Sequence, residues 1–240
     1  MIRLYNLPRI SALITATLWI GAFLLIGCDR KPEAPAPQNT PPPSVEKTAY
    51  EGTIVAMGDS LTEGYGLPLD RAYPALLEEK LQAEGFDFQV INAGISGETS
   101  SGTRSRTEWM LTLEPDIVIL ETGANDGLRG VNPEVTRDNI AEIIRILQTN
   151  DVGVVLAGMR MVRNLGREYT DAFAEIYPAL AEQFDIIFIP FFLEGVAGNP
   201  ALNQEDSIHP NAEGYRLLVD HVYPQVVKAI QVLRARSSND

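Results

Sequence analysis

The sequence predicts an α/β domain in three layers, with helices on both faces of a five-stranded parallel sheet. From about residue 51, short apolar runs alternate with segments of helical periodicity, a pattern typical of strand–helix–strand units. The apolar runs show little polar alternation, as expected for strands buried on both sides. In such folds ligands bind beyond the carboxyl ends of the strands, so the loops after the strands are where chemistry is expected.

Each element follows from its local pattern. The strands are predicted at 53–57, 88–92, 116–120, 153–157 and 186–189. The helices are predicted at 73–84, 101–112, 133–148, 168–183 and 211–233. Helical spacing in the third of these helices predicts that Val135 shares an apolar face with Ile140 and Leu147. Pro224 is expected to kink or divide the last helix, because proline removes a helical hydrogen bond.

Composition excludes several kinds of site and partner. A formal net charge of −13 over 240 residues disfavours nucleic acid and anionic lipid headgroups as partners of the folded part. The single cysteine, Cys28, excludes an intrachain disulfide, and two histidines are too few for a His-rich zinc site. No metal and no cofactor is predicted. The candidate bases are His209 and His221, and His221 is interpreted as structural or solvent-facing because it lies within the last helical pattern.

Residues 1–27 have the pattern of an export signal. Arg3 and Arg9 precede an unbroken apolar run at 10–26. The run ends in Leu25-Ile26-Gly27-Cys28, which resembles a bacterial lipobox, and this resemblance implies cleavage before Cys28 and lipidation of its thiol. The alternative is an uncleaved signal anchor with an incidental cysteine. The apolar run is at the short edge of what a membrane-spanning helix needs.

The remaining chain divides into a tether and a folded domain. Residues 28–50 are rich in proline and polar residues and are predicted to form a linker after the lipidated Cys28. Residues 51–240 are predicted to form a single domain. These features predict a lipid-anchored protein of the bacterial cell envelope that faces the periplasm or the exterior. The domain is expected to be a monomer.

Three loops after predicted strands carry residues that suit acyl transfer. Ser60 follows the first strand, where a helix N-terminus favours negative charge on a ligand. Gly97 follows the second strand and Asn125 follows the third, and a backbone N–H and a side-chain amide are typical oxyanion donors. Each has an ordinary alternative, since Asp59 or Ser60 can cap a helix and the other two can be turn residues.

The last loop supplies a candidate base. Asp206 and His209 lie three residues apart, just before the final helix. At this spacing the carboxylate can accept the Nδ1–H of the imidazole while Nε2 faces a nucleophile. The alternative is a capping aspartate and a surface histidine.

Taken together, these loops resemble the four sequence blocks of the SGNH (GDSL) hydrolases. Ser60, Gly97, Asn125 and His209 match the residues after which that family is named, with Asp206 as the third member of the triad. The match is closer to the bacterial thioesterase I/lysophospholipase/arylesterase branch, through the segments 58–65, 97–99, 125–130 and 176–178. Two mild departures are Glu98 in place of Asp, and Thr122-Gly123-Ala124 in place of a Gly-Gly pair.

The resemblance implies a flavodoxin-like fold and an acyl-enzyme mechanism without metal or cofactor. It implies Ser60 as nucleophile, His209 as base and Asp206 as its partner, with oxyanion donors on Ser60, Gly97 and Asn125. The expected substrates are aryl, acyl or lysophospholipid-type esters and acyl thioesters. The resemblance also implies that the loop at 159–166 closes over an acyl chain, the alternative being that Met161, Val162 and Leu165 are packing residues. Two other functions remain open, namely a carbohydrate or peptidoglycan O-deacetylase and an inactive binding lipoprotein.

Overall fold

The structure is a computed structural model that describes residues 50–161 and 165–238. The signal peptide, Cys28 and all but the last residue of the predicted linker lie outside the described residues. Within the described chain five strands form one sheet: β1 (Gly52–Gly58), β2 (Phe88–Gly94), β3 (Ile117–Glu121), β4 (Gly153–Ala157) and β5 (Ile187–Ile189). Their order is β2-β1-β3-β4-β5, and every neighbouring pair is parallel. This confirms the predicted five-stranded parallel sheet and its flavodoxin-like strand order.

The helices connect these strands. They are α1 (Ser60–Glu63), α2 (Tyr73–Ala83), α3 (Ser100–Ser105), α4 (Thr107–Met110), α5 (Ala124–Leu128), α6 (Pro133–Thr149), α7 (Arg167–Phe184) and α8 (Ala212–Ser237). Short 3₁₀ turns occupy Leu69–Arg71 and Leu111–Leu113. The predicted helix at 101–112 was therefore wrong as one element, because the chain forms α3, α4 and a 3₁₀ turn there. Serine, threonine and glycine, which are poor helix formers, make up much of this segment.

The strand order explains the helical layers. The chain passes from β1 outward to β2, and then crosses back to β3 on the other side of β1. Because parallel crossovers are right-handed, this reversal sends α2 to one face and the later crossover helices to the other. In agreement, α2 packs against α8, whereas α3, α6 and α7 pack against one another in series.

Buried tyrosines connect the outer helices to the loops that follow β1 and β3. The Tyr177 hydroxyl, on α7, donates to the backbone carbonyl of Thr122 at 2.9 Å. The Tyr215 hydroxyl, on α8, donates to the carbonyl of Leu61 at 2.9 Å. Both rings are almost fully buried. A tyrosine that is anchored in this way combines apolar burial with a fixed hydrogen bond, so these loops are held from both faces of the sheet.

The structure differs from two expectations about helices, namely the buried position of Val135 and a division of the last helix at Pro224. Val135 is exposed, because the buried face of α6 begins one residue later at Thr136 and continues through Ile140. Pro224 lies inside α8 without dividing it. The buried side chains of Val222 and Val226 on either side of this proline pack into the core, and this packing offsets the missing hydrogen bond.

Candidate active site

The loops after β1 and β3 meet where the strand order reverses. Ser60 begins α1 directly after β1, and Asn125 lies in α5 directly after β3. Met57 and Leu120 are paired neighbours near the ends of these two strands. The crevice at such a reversal is where open α/β sheets bind their ligands. The sheet topology thus places Ser60 and Asn125 at the crevice where a ligand is expected.

The side chains of Ser60, His209 and Asp206 form a connected chain of hydrogen bonds. His209 Nε2 lies 2.9 Å from Ser60 Oγ. His209 Nδ1 lies 2.6 Å from Asp206 Oδ2. A neutral imidazole that donates from Nδ1 to the carboxylate leaves Nε2 free to accept the serine proton. The geometry is therefore that of a nucleophile, a base and a group that orients the base.

The Asp206 carboxylate is held charged by three donors. Its Oδ1 accepts the backbone N–H groups of Ile208 at 2.9 Å and His209 at 3.0 Å, while Oδ2 accepts the His209 ring. Partial burial by itself would raise the pKa of Asp206, but these hydrogen bonds outweigh burial and lower the pKa to about 2. Ser207, between them, has a positive φ of 60°, which is part of the tight turn that brings both residues together.

Three candidate donors face the same cleft. In the described chain, the backbone N–H groups of Ser60 and Gly97 donate to no other protein group. The Asn125 amide also lines the cleft, and its Nδ2 donates to Asp59 Oδ2 at 2.9 Å. Gly97 has a φ of +77°, which a residue with a side chain rarely adopts. Arg129 holds this glycine in place by donating to its carbonyl at 2.8 Å.

The cleft has a volume of about 220 Å³ and an apolar rim. Tyr65, Leu128 and Ile208 line it and are all exposed. The Tyr65 ring also lies 4.7 Å from the His209 ring, centroid to centroid. Most of the cleft surface is apolar, which suits a hydrocarbon chain. Sequence reasoning did not single out these three apolar residues.

A larger cavity of about 440 Å³ lies at the opposite edge of the sheet. Its walls include Asp116, Asp151 and Asp185, close to the amino ends of β3, β4 and β5, together with the last turns of α8. It contains none of the candidate catalytic residues. The candidate site therefore rests on its hydrogen-bond geometry and not on the size of the cavity.

Asp59 both caps a helix and orients a functional side chain. Its Oδ1 accepts the backbone N–H of Leu61 at 3.0 Å, which is the capping role considered for it. Its Oδ2 holds Asn125. Below it, Glu121 Oε2 accepts the Asp59 N–H at 3.1 Å and the Thr62 hydroxyl at 2.9 Å. Sequence reasoning missed Glu121, although a glutamate that ends a run of strand residues buried on both sides is itself a signal.

The segment that carries Gly97 is fixed by an ion pair of low exposure. Glu98 accepts two hydrogen bonds from Arg106 Nε, at 2.8 and 2.9 Å, and one from Nη2 at 2.7 Å. Arg106 Nη2 also donates to the carbonyls of Ala93 at 2.8 Å and Gly58 at 3.3 Å. Glu98, which stands where the family usually has the shorter aspartate, thus uses both of its carboxylate oxygens to bind Arg106. Through Arg106 it connects this segment to the ends of β1 and β2.

Other candidates lie away from the reactive groups. His221 Nε2 donates to the Phe191 carbonyl at 2.9 Å, which agrees with its structural interpretation. Met161 is partly buried, packs against the core and lies beside Gly127 of α5. Neither Met161 nor Leu165 is among the described residues that line the cleft. Val162 lies outside the described residues, so closure of the loop at 159–166 stays a prediction.

Among residues 50–161 and 165–238, no group of three or more His, Cys, Asp or Glu side chains is arranged to hold a metal ion. Over the same ranges, every helix is too short or too polar to cross a bilayer.

Comparison with known proteins agrees with this geometry. Residues 56–217 match the GDSL-like Lipase/Acylhydrolase family. The chain is 38% identical over 176 residues to an arylesterase of Vibrio mimicus, covering 73% of this chain and 88% of that protein. It is 37% identical over 181 residues to thioesterase 1/protease 1/lysophospholipase L1 of Escherichia coli K12, covering 75% and 86% respectively.

The fold of this chain is also similar to that of a solved esterase structure. Esterase EstA from Pseudoalteromonas sp. superposes with a TM-score of 0.72 at 34% identity, covering 75% of this chain and all of that one. The family match and these relatives confirm the prediction of a carboxylic ester hydrolase. The chain belongs to the GDSL-like Lipase/Acylhydrolase family.

Proposed function

We propose that the protein hydrolyses carboxylic esters and thioesters through an acyl-enzyme on Ser60, with His209 and Asp206 completing the triad. The observation that carries this proposal is the position of His209 Nε2, 2.9 Å from Ser60 Oγ, while its Nδ1 is 2.6 Å from Asp206. This spacing lies within the reach required of a nucleophile and its general base.

In the acylation step, Ser60 Oγ attacks the acyl carbonyl carbon while His209 Nε2 takes the serine proton. Asp206 stabilises the imidazolium that forms and keeps Nε2 directed at the serine. Negative charge develops on the former carbonyl oxygen, which accepts hydrogen bonds from the N–H groups of Ser60 and Gly97 and from the Asn125 amide. His209 then gives the proton to the departing alcohol or thiol.

In the deacylation step, water takes the place of the leaving group. His209 accepts a proton from water as its oxygen attacks the Ser60 ester. The same three donors receive the second oxyanion, and His209 returns the proton to Ser60 as the acid departs. The mechanism uses groups that line the cleft together with Asp206, and His209 has returned its proton by the end of each cycle.

The rim of the cleft supports an apolar acyl group over a sugar-bound acetyl group. Tyr65, Leu128 and Ile208 expose apolar surface beside Ser60, where the acyl chain of a bound ester would lie. Burying this surface against a hydrocarbon chain contributes about 0.8 kcal/mol per methylene. The aryl esters and lysophospholipids suggested by the names of the relatives present such apolar groups.

Replacement of the nucleophile tests the mechanism. We expect Ser60→Ala to lower the turnover of a p-nitrophenyl ester by roughly 10⁶-fold, because triad members act as a unit. We also expect it to abolish covalent labelling by a fluorophosphonate. A structure of the related EstA is of that enzyme inhibited by monoethylphosphonate, which makes this class of probe suitable. Ser101→Ala, at an exposed serine outside the cleft, is the matched control. Retention of most activity in Ser60→Ala would refute the assignment.

The same assay separates the candidate substrates. A panel of p-nitrophenyl esters of increasing chain length, acyl thioesters and lysophospholipids should show higher kcat/KM for medium and long acyl chains. A sharp preference for acetyl would support the O-deacetylase instead. Failure of the unchanged protein to label or to turn over any ester would support an inactive binding protein.

We further propose that the enzyme is exported and lipid-anchored through Cys28. Support comes from the sequence, in which the only cysteine stands directly after the apolar run and before a Pro-rich segment. Several acyl chains on one residue give stable membrane attachment. After removal of Arg3 and Arg9 with the signal, the formal charge becomes −13 − 2 = −15. A tether keeps so acidic a domain away from anionic headgroups.

Metabolic labelling tests the anchor. Cells that express the full chain and are fed radiolabelled palmitate should yield labelled protein in the membrane fraction. The Cys28→Ala variant should carry no label, because the acceptor thiol is missing. Ser60→Ala serves as the control, since it removes the proposed acyl-enzyme but leaves the lipidation site. Equal labelling of Cys28→Ala and the unchanged chain would exclude lipidation at this position.

A further inference from the structure

Two carboxyl groups lie buried in contact beneath the nucleophile segment. Asp59 and Glu121 are 1% and 0% exposed. Glu121 Oε2 accepts the backbone N–H of Asp59 at 3.1 Å, and each carboxyl group affects the pKa of the other. In the described chain, neither forms an ion pair with a lysine or arginine. Two neighbouring carboxylates in a buried site without a cation do not both stay charged. We therefore expect one of the two groups to hold a proton.

The hydrogen bonds around the pair indicate which residue holds that proton. Both oxygens of Asp59 already accept N–H groups, from Leu61 and from the Asn125 amide. Glu121 Oε2 also accepts two donors, but Oε1 receives none from the described chain. Oε1 is the one oxygen of the pair that is available to carry a hydrogen. Burial, and then the neighbouring Asp59 charge, raise the pKa of Glu121 well above its usual range.

The described side chains packed around Asp59 and Glu121 carry no positive charge that would neutralise a second carboxylate. Tyr73 of α2, Tyr177 of α7 and Tyr215 of α8 surround it, and burial raises the pKa of each phenol, so each stays neutral. His209 acts on Asp59 through its charge when protonated. Neutralisation of Glu121 by its own proton is thus the arrangement that the surroundings favour.

We propose that Glu121 is a positioning residue that acts on the oxyanion site through Asp59. As a neutral acid its carboxyl group donates a hydrogen bond to the Asp59 carboxylate, and Asp59 in turn fixes the Asn125 amide. Of the two N–H bonds on Asn125 Nδ2, one is then engaged by Asp59 and the other is left for the oxyanion. This inference rests on the proposed function, because it concerns the same oxyanion.

Two variants of similar size distinguish this role from simple packing. Glu121→Gln keeps a neutral donor and an acceptor, and we expect its kcat to stay within about threefold of the unchanged enzyme. Glu121→Met keeps the volume but removes the donor. We expect it to lower kcat by roughly 10²-fold with little change in KM, because an oxyanion donor is displaced. A Glu121→Gln variant as impaired as Glu121→Met would overturn the proposal.

A double-mutant cycle supplies a readout that a merely structural residue would not alter. If Glu121 acts through Asn125, then Glu121→Met should lower kcat by less than about threefold when Asn125 is already alanine. An equal loss in both backgrounds contradicts the proposal. Fluorophosphonate labelling of the unchanged chain is measured first, since its absence would refute the proposed function and not the role of Glu121.

Infrared spectroscopy tests the proton itself and does not depend on activity or on the Met variant folding. The unchanged protein should show the carbonyl band of a protonated carboxylic acid at pH 7. This band should be missing from Glu121→Gln. Identical spectra in that region would show that Glu121 is ionised, which would overturn the proposal.

Discussion

At the scale of single residues, the carboxyl groups of this site differ in how many hydrogen-bond donors surround them. Asp206 is partly exposed and accepts three hydrogen bonds, so it is the anion that partners His209. Glu121 is completely buried, and one of its oxygens receives no hydrogen bond from residues 50–161 and 165–238. Hydrogen-bond donors and burial, and not residue type, therefore decide which carboxyl group is charged.

The low pKa of Asp206 gives a prediction about acid pH. Its folded pKa of about 2 lies below the usual value of about 3.9 for an unfolded aspartate. The carboxylate therefore favours folding above the unfolded pKa, and that contribution is lost as the pH falls from about 4 through 2. NMR titration of the Asp206 carboxyl carbon should show a midpoint near pH 2. In a His209→Ala variant the midpoint should rise, because the ring hydrogen bond is missing. A midpoint near 3.9 in the unchanged protein would contradict this account.

At the scale of elements, most boundaries could be predicted from the sequence to within one or two residues. Strands such as β4 consist of apolar runs that a parallel sheet buries on both faces, so their pattern is unambiguous. The segment 101–112 was harder to predict because its fold depends on a long-range contact. Arg106 lies between α3 and α4, where its side chain reaches Glu98 and the ends of two strands.

Removal of Arg106 should therefore destabilise the domain. We expect Arg106→Met to lower the free energy of unfolding by about 3–5 kcal/mol, since it leaves the poorly exposed Glu98 carboxylate without its partner. Urea unfolding followed by circular dichroism measures this. The matched control is Arg216→Met on α8, which breaks an exposed pair with Glu213 and should cost less than about 1 kcal/mol. Equal losses for the two variants would show that the Glu98 pair has no special structural role.

At the scale of the whole molecule, topology converts residues that are distant in sequence into one site. Ser60 and His209 are 149 positions apart, yet their side chains are in hydrogen-bond contact. The reversal of strand order beside β1 brings the loops after β1 and β3 together. The tight turn before α8 then brings Asp206 and His209 over the same edge. The cleft thus depends on the sheet as a whole.

The sequence by itself determined most of the elements, the parallel sheet and the candidate residues, because these depend on local periodicity and on short motifs. The candidate residues are Ser60, Gly97, Asn125, Asp206 and His209. Only the tertiary structure decided which side chains touch. It revealed that Asp59 holds Asn125, that Arg106 holds the segment of Gly97, and that Glu121 is buried against Asp59. The physical reason is that hydrogen bonds and burial act across space between residues tens of positions apart, whereas the pattern of a sequence reports only its neighbours along the chain.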